Sequence, residues 1–181
     1  MLGKREIMNK KLIDIAIERL SYQLIEKHNK FESSILIGLQ PRGAFLCKRV
    51  LKKLKFLLPT IDVKSGNLDI SFYRDDLMRR DHPIEPDIMD INLSFEGKNI
   101  ILVDDVLFTG RSIRSALDAI LAFGRPKSVE LLTLINRRFS RHLPIEPTYV
   151  GKTIDALSEE KVIVEWKELH GIDRVLMKKN T

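Results

Sequence analysis

Three short stretches of this chain are almost wholly apolar, and they constrain its fold more than any other feature. "SSILIGL" occupies residues 33–39, "NIILV" residues 99–103 and "SVELLTLI" residues 128–135. A strand with one wet face alternates apolar and polar residues. A continuous run belongs to a strand covered on both faces, as in a parallel sheet. Helical spacing fills the intervals. Ile13, Ile17, Leu20 and Leu24 predict an amphipathic helix over roughly 9–29, and Ala44, Cys47, Leu51 and Leu54 predict a second. Ile113, Leu117, Ile120 and Leu121 predict a third, ended by Gly124 and Pro126. Strands and helices in this order predict an α/β fold, with a central, mostly parallel sheet flanked by helices.

"NLDISFY" at residues 67–73 alternates, as a strand with one exposed face does. From Arg74 to Lys98 the pattern vanishes into a polar stretch with Pro83 and Pro86, which predicts a long loop. Strand-like pieces follow in "TYVG", "KVIVEW" and "DRVLM". Nothing resembles a linker, so residues 1–181 are expected to form one domain. Hydrophobic residues at 44% and charged residues at 31% exclude a disordered chain. No apolar run approaches the ~20 residues of a membrane helix, and the start has no signal-peptide pattern. Cys47 is the only cysteine, so an internal disulfide is excluded and a reducing cytoplasm is expected. Cys47 and Trp166 read as packing residues. His28, His82, His142 and His170 show no metal-ligand spacing. The net charge of +6 suits anionic partners such as phosphates, nucleotides or nucleic acid.

The chemistry concentrates in "ILVDDVLFTGRS", residues 101–112. A buried strand ends in two carboxylates, Asp104 and Asp105, and a Thr-Gly turn leads into a helix near Arg111. Ligands of an open α/β sheet bind at the carboxyl ends of its strands. A helix start offers unpaired N–H groups and a positive dipole end to a phosphate. Gly110 permits close backbone approach, while Thr109 and Ser112 add hydroxyl donors. The two carboxylates can accept hydrogen bonds from adjacent sugar hydroxyls. Together these features predict a ribose 5-phosphate ligand. No Walker A pattern is present.

This stretch resembles the motif by which type I phosphoribosyltransferases bind phosphoribosyl pyrophosphate (PRPP). Within that superfamily the chain is most similar to the PyrR family of pyrimidine operon regulators and uracil phosphoribosyltransferases. The similarity runs through "ILIGLQPRGAFLCKR", "LDISFYRDDL", "GKNIILVDDVLFTGRS", "GRPKSVELLTLINRR", "LPIEPTYVGK" and "SEEKVIV". It implies the type I fold, with a flexible loop at about 74–98 and a small hood from segments at about 136–165. It also implies transfer of the ribose from PRPP to uracil, yielding UMP and pyrophosphate with Mg²⁺.

By that resemblance Asp104 and Asp105 hold the ribose hydroxyls. The loop Val106, Leu107, Phe108, Thr109, Gly110, Arg111 and Ser112 cradles the 5-phosphate. Pro41, Arg42 and Gly43 match the pyrophosphate loop, and an arginine there suits bidentate phosphate contact. Tyr73, Arg74, Asp75 and Asp76 open the mobile loop, with Arg74 balancing the leaving pyrophosphate. Mg²⁺ is expected through PRPP oxygens and water, with no direct protein ligand. Asn136, Arg137, Tyr149, Val150 and Val162 match the base pocket, with Tyr149 stacking on a flat base.

Phe108 bears on the choice of base. In 6-oxopurine phosphoribosyltransferases the residue before Thr-Gly is typically an aspartate that handles a purine proton. Phenylalanine has no proton to exchange. The family's other role, binding a stem-loop of pyrimidine operon mRNA, would draw on Arg137, Arg138, Arg141 and the first helix. Family members commonly have Asp-Arg-Gly where this chain has Asn136-Arg137-Arg138, and the first helix carries Glu18. Two alternatives stay open: an RNA-binding regulator with little catalysis, and a purine phosphoribosyltransferase. A homodimer or tetramer is implied by the resemblance.

Overall fold

The computed structural model describes residues 4–70, 94–157 and 159–179. The elements run β1 (Lys4–Asn9), α1 (Lys10–His28), β2 (Ser34–Leu39), α2 (Arg42–Leu57), β3 (Lys64–Leu68), β4 (Asn99–Leu107) and α3 (Arg111–Leu121). Then come β5 (Ser128–Arg138), β6 (Tyr149–Asp155), β7 (Glu160–Glu165), α4 (Lys167–His170) and β8 (Arg174–Lys179).

Five strands form a parallel sheet in the order β3-β2-β4-β5-β6. The apolar runs occupy its middle, as their lack of alternation requires. Successive side chains go to opposite faces. Ile35, Ile37, Ile100 and Leu102 pack with Ile113, Ala116 and Ile120 of α3. Leu36, Ile101, Val103 and Leu132 pack with Ile17, Leu20 and Leu24 of α1 and with Leu46 and Val50 of α2. α1 starts and stops on asparagines. The Asn9 side chain accepts from the Leu12 N–H at 3.0 Å, and Asn29 follows with a positive φ of 48°.

A second sheet is antiparallel, in the order β1-β8-β7. It takes up only part of the segment expected to form the hood. The segment at about 136–165 divides: the end of β5 and all of β6 belong to the parallel sheet, and only β7 joins the small one. Its other strands come from the two ends of the chain. β1 escapes a pattern search because "KREIMN" is mostly exposed and polar. Three further expectations need adjustment. β4 runs on to Leu107, past both aspartates. Leu121, expected on the buried stripe of α3, is 64% exposed. β3 pairs over Lys64–Leu68, earlier than the alternating stretch suggested, although Leu68 and Ile70 are buried as expected. Ser71, Phe72 and Tyr73 lie outside the described residues, as does most of the loop expected at 74–98.

Candidate active site

β2 and β4 are neighbours and parallel. Each is followed by a helix, so the starts of α2 and α3 open side by side at the carboxyl edge of the sheet. Neither helix has a side-chain cap: Pro41 precedes α2 and Gly110 precedes α3. Each start therefore presents N–H groups and a positive dipole end; at α3 the Arg111 N–H reaches only the Thr109 hydroxyl, at 3.4 Å. Gly43 is buried against β4. A Cβ there would collide with the Val103 carbonyl oxygen and lie 3.0 Å from the Asp104 Cα. Any larger residue would push α2 away from β4. Arg42 is exposed at the first turn of α2. Gly110 has φ +90°, which a side chain would strain.

Asp104 and Asp105 lie within the last turn-ward part of β4. The Asp105 N–H donates to Asp104 Oδ1 at 2.9 Å. Asp105 is 6% exposed, and its Oδ2 has no partner among the described residues. Burial raises the pKa of both carboxyls above the ordinary aspartate range. The Asp105 charge raises Asp104 further, and the Arg42 charge opposes the shift at both. Asp104 opens into a cleft of about 450 Å³ that Phe108, Thr109, Gly110, Ser112 and His142 also line. The cleft thus joins a carboxylate, hydroxyls and a helix start. That combination suits a phosphorylated sugar.

Beside the cleft lies the end of β5. Leu107 and Asn136 are ladder partners, so Phe108 and Arg137 fall next to one another. The Arg137 guanidinium lies 4.0 Å from the centre of the Phe108 ring and donates to the Leu157 carbonyl at 3.3 Å. Arg137 is 4% exposed, and its Nε has no partner among the described residues. Burial lowers its pKa, against the opposing charge of Glu160. Arg141 donates to Asn136 Oδ1 at 2.6 Å and to the Phe108 carbonyl. The His142 N–H donates to the Thr109 carbonyl at 3.0 Å.

These contacts revise the reading of "NRRFSRHLP". Arg137 is buried, and Arg138 pairs with Asp155 at 2.6 Å. Both ends of the Arg141 fork bind within the chain, and its side chain is 15% exposed. Arg141 and His142 are the site residues that sequence reasoning missed. A basic run reads as a solvated or RNA-facing surface. Only the return of the chain after β5 turns it inward.

Tyr149 and Val150, expected at the base pocket, lie along β6 from the end of β5. They begin β6, opposite Leu132 and Thr133, whereas the end of β5 lies opposite Thr153 and Ile154. Four residues along a strand separate sites by about 13 Å. Tyr149 instead donates to Glu130 Oε2 at 2.6 Å and meets His28 Nε2 at 2.9 Å, at the amino edge of the sheet. Val150 contributes a backbone carbonyl to Arg19 at 3.0 Å. Val162 is buried in the core with Val164 and Met177. Arg74, Asp75 and Asp76 lie outside the described residues. Among the described residues no group of three His, Cys, Asp or Glu side chains is placed to hold a metal. No helix there is long and apolar enough to cross a membrane.

The phosphoribosyl transferase domain family matches residues 4–168. The bifunctional protein PyrR of Enterococcus faecalis is 42% identical over 178 residues, covering 98% of each chain. The pyrimidine operon regulatory protein of Lactococcus lactis is 38% identical, covering 98% of this chain and 99% of that one. Among solved structures, a hypoxanthine phosphoribosyltransferase of Staphylococcus aureus superposes with a TM-score of 0.71 at 20% identity, over 99% of this chain and 93% of that one. The hypoxanthine phosphoribosyltransferase of Trypanosoma cruzi gives 0.73 at 14% identity, over 98% and 97%. At such identities the structures establish the type I phosphoribosyltransferase fold and say nothing of the base. The chain belongs to the phosphoribosyltransferases and, within them, to the PyrR family.

Proposed function

We propose that this phosphoribosyltransferase acts on uracil, transferring the ribosyl phosphate of PRPP to give UMP and pyrophosphate. The observation that carries the choice of base is the Arg137 guanidinium stacked on Phe108, with Asn136 beside it, at the end of the phosphate loop. An arginine and an amide offer donors to the carbonyl oxygens of a pyrimidine. Phe108 offers a flat surface in place of the aspartate that a purine enzyme would use.

The ribose hydroxyls are assigned to Asp104 and Asp105, and the unpartnered Asp105 Oδ2 is an acceptor awaiting a donor. The 5-phosphate is assigned to Thr109, Gly110, Ser112 and the start of α3. The pyrophosphate is assigned to Arg42 and the start of α2. Arg74 is assigned to the leaving pyrophosphate on family resemblance alone. Mg²⁺ would enter with PRPP, held by the oxygens of PRPP and by water rather than by a protein side chain, as its preference for hard oxygen ligands allows. When bound it neutralises charge on the pyrophosphate. The protein's own share is positioning: the two helix starts fix both phosphate groups of the substrate, and the aspartates fix the sugar between them.

A second role is regulation of a pyrimidine operon, which the name of the Lactococcus lactis relative carries; UMP-dependent binding of pyrimidine operon mRNA in a reducing cytoplasm rests on the family resemblance. Stem-loop binding that weakens with salt and tightens with UMP supports it; absent binding rejects it. Assembly as a homodimer or tetramer rests on the resemblance alone.

The test is pyrophosphate release from PRPP and Mg²⁺ with uracil, orotate, hypoxanthine or guanine offered in turn. Turnover with uracil alone is expected. Turnover with a purine overturns the assignment of Phe108 and Arg137. Silence with every base, with PRPP still bound, leaves the regulatory role.

A further inference from the structure

We infer that Arg141 is a positioning residue that locks the phosphate loop to the base end of the site and sets which way the Asn136 amide faces. The inference rests on the phosphoribosyltransferase reading and goes beyond it, because Arg141 touches neither the sugar's carboxylates nor the helix starts.

The geometry is a strap. Arg141 spans from the end of β5 to the loop before α3, with one Nη on Asn136 Oδ1 at 2.6 Å and the other on the Phe108 carbonyl. The next residue repeats the link, its N–H donating to the Thr109 carbonyl at 3.0 Å. Ile145 then closes over Gly110, where a Cβ would lie 3.3 Å from its Cδ1. Three successive residues of the phosphate loop are thereby held from one side. Phe108 is gripped twice, through its carbonyl by Arg141 and through its ring by Arg137.

Arg141 also settles the amide. Arginine has five donors and no acceptor, so only the oxygen of Asn136 can face it. The Asn136 NH₂ must then face away. Among the described residues that NH₂ has no hydrogen bond to protein. It is left as a donor at the base end, suited to a carbonyl oxygen of the base. A rigid planar fork can serve two acceptors at once, whereas a lysine ammonium serves them as a single point charge. Releasing the strap frees the loop that orders the 5-phosphate and lets the amide turn, so both substrates should feel it.

The experiment compares wild type with Arg141→Gln and Arg141→Lys by steady-state kinetics, varying PRPP and uracil separately, with melting temperature recorded for each. Arg141→Gln should raise both KM values about tenfold, a loss near 1.4 kcal/mol for each substrate. Arg141→Lys should recover part of that rise. A merely structural role would lower the amount of folded enzyme and leave KM where it was. Unchanged KM values, or a rise for one substrate alone, overturns the inference. Calorimetric binding of ribose 5-phosphate separates the two readings. If wild type turns over no base, the proposed activity fails. Arg141 is then judged on that affinity alone: about tenfold weaker in Arg141→Gln supports the strap, and equal affinity overturns it.

Discussion

The two edges of the parallel sheet both bury polar groups, and they treat them in opposite ways. At the amino edge, Ser34 Oγ meets His28 Nδ1 at 2.9 Å, His28 Nε2 meets the Tyr149 hydroxyl at 2.9 Å, and that hydroxyl donates to Glu130 at 2.6 Å. Lys27 closes the chain on Glu130 at 3.0 Å. Burial alone would raise the Glu130 pKa, but the Tyr149 and Lys27 hydrogen bonds outweigh it and the net shift is downward. Burial and the Glu130 contact raise the Tyr149 pKa. At the carboxyl edge, Asp105 Oδ2 and Arg137 Nε are buried without partners among the described residues, and neither Pro41 nor Gly110 caps its helix with a side chain. A buried polar group without a partner costs about 1–3 kcal/mol, so a fold keeps one where something else repays the cost. The amino edge is finished as a structure. The carboxyl edge is completed by a ligand.

The largest expected effect lies at the unfinished edge. Asp104→Asn or Asp105→Asn should lower turnover with PRPP and uracil about 100-fold, because a sugar held by one fewer acceptor leaves its reacting geometry. Unchanged turnover would break the assignment. Stability should move the other way. Both carboxyls have raised pKa values in the fold, so the folded chain holds more protons than the unfolded one above pH 3.8. Stability is therefore lost as pH rises from there through the raised values. Asparagine removes that loss. At pH 8 either variant should melt at the wild-type temperature or about 2–4 °C above it. A clear drop would mean that the aspartates hold the fold together.

A smaller effect is expected at the finished edge. Tyr149→Phe removes one hydroxyl from the chain and should cost about 1 kcal/mol in denaturant unfolding. KM for uracil should stay within about twofold, since Tyr149 lies some 13 Å along the sheet from the base end. A large rise in KM would return Tyr149 to the base pocket and blur the contrast between the edges.

Most of the central sheet is legible in the sequence, because continuous apolar runs and helical spacing each record burial directly. The bounds expected for α1, roughly 9 and 29, fall on the two asparagines that cap it. β1 is not, since an exposed strand of Lys4, Arg5 and Glu6 carries no burial signal. The phosphate loop shows as a motif because its chemistry is contiguous. The base end does not, because it is assembled from β4, β5 and the chain after β5. Aromatic character marked Tyr149 as a stacking residue but says nothing of which end of β6 it occupies. Charge marked Arg141 as a surface residue, and only its acceptors, 5 and 33 residues away, turn it inward.

The contrast between the edges can be read directly by amide hydrogen exchange with and without ribose 5-phosphate. Protection should rise at the first turn of α3, around Arg111 to Ile113, and leave residues 28, 34, 130 and 149 unchanged. Protection at the amino edge, or none at the start of α3, would contradict the claim that the carboxyl edge is the one a ligand completes.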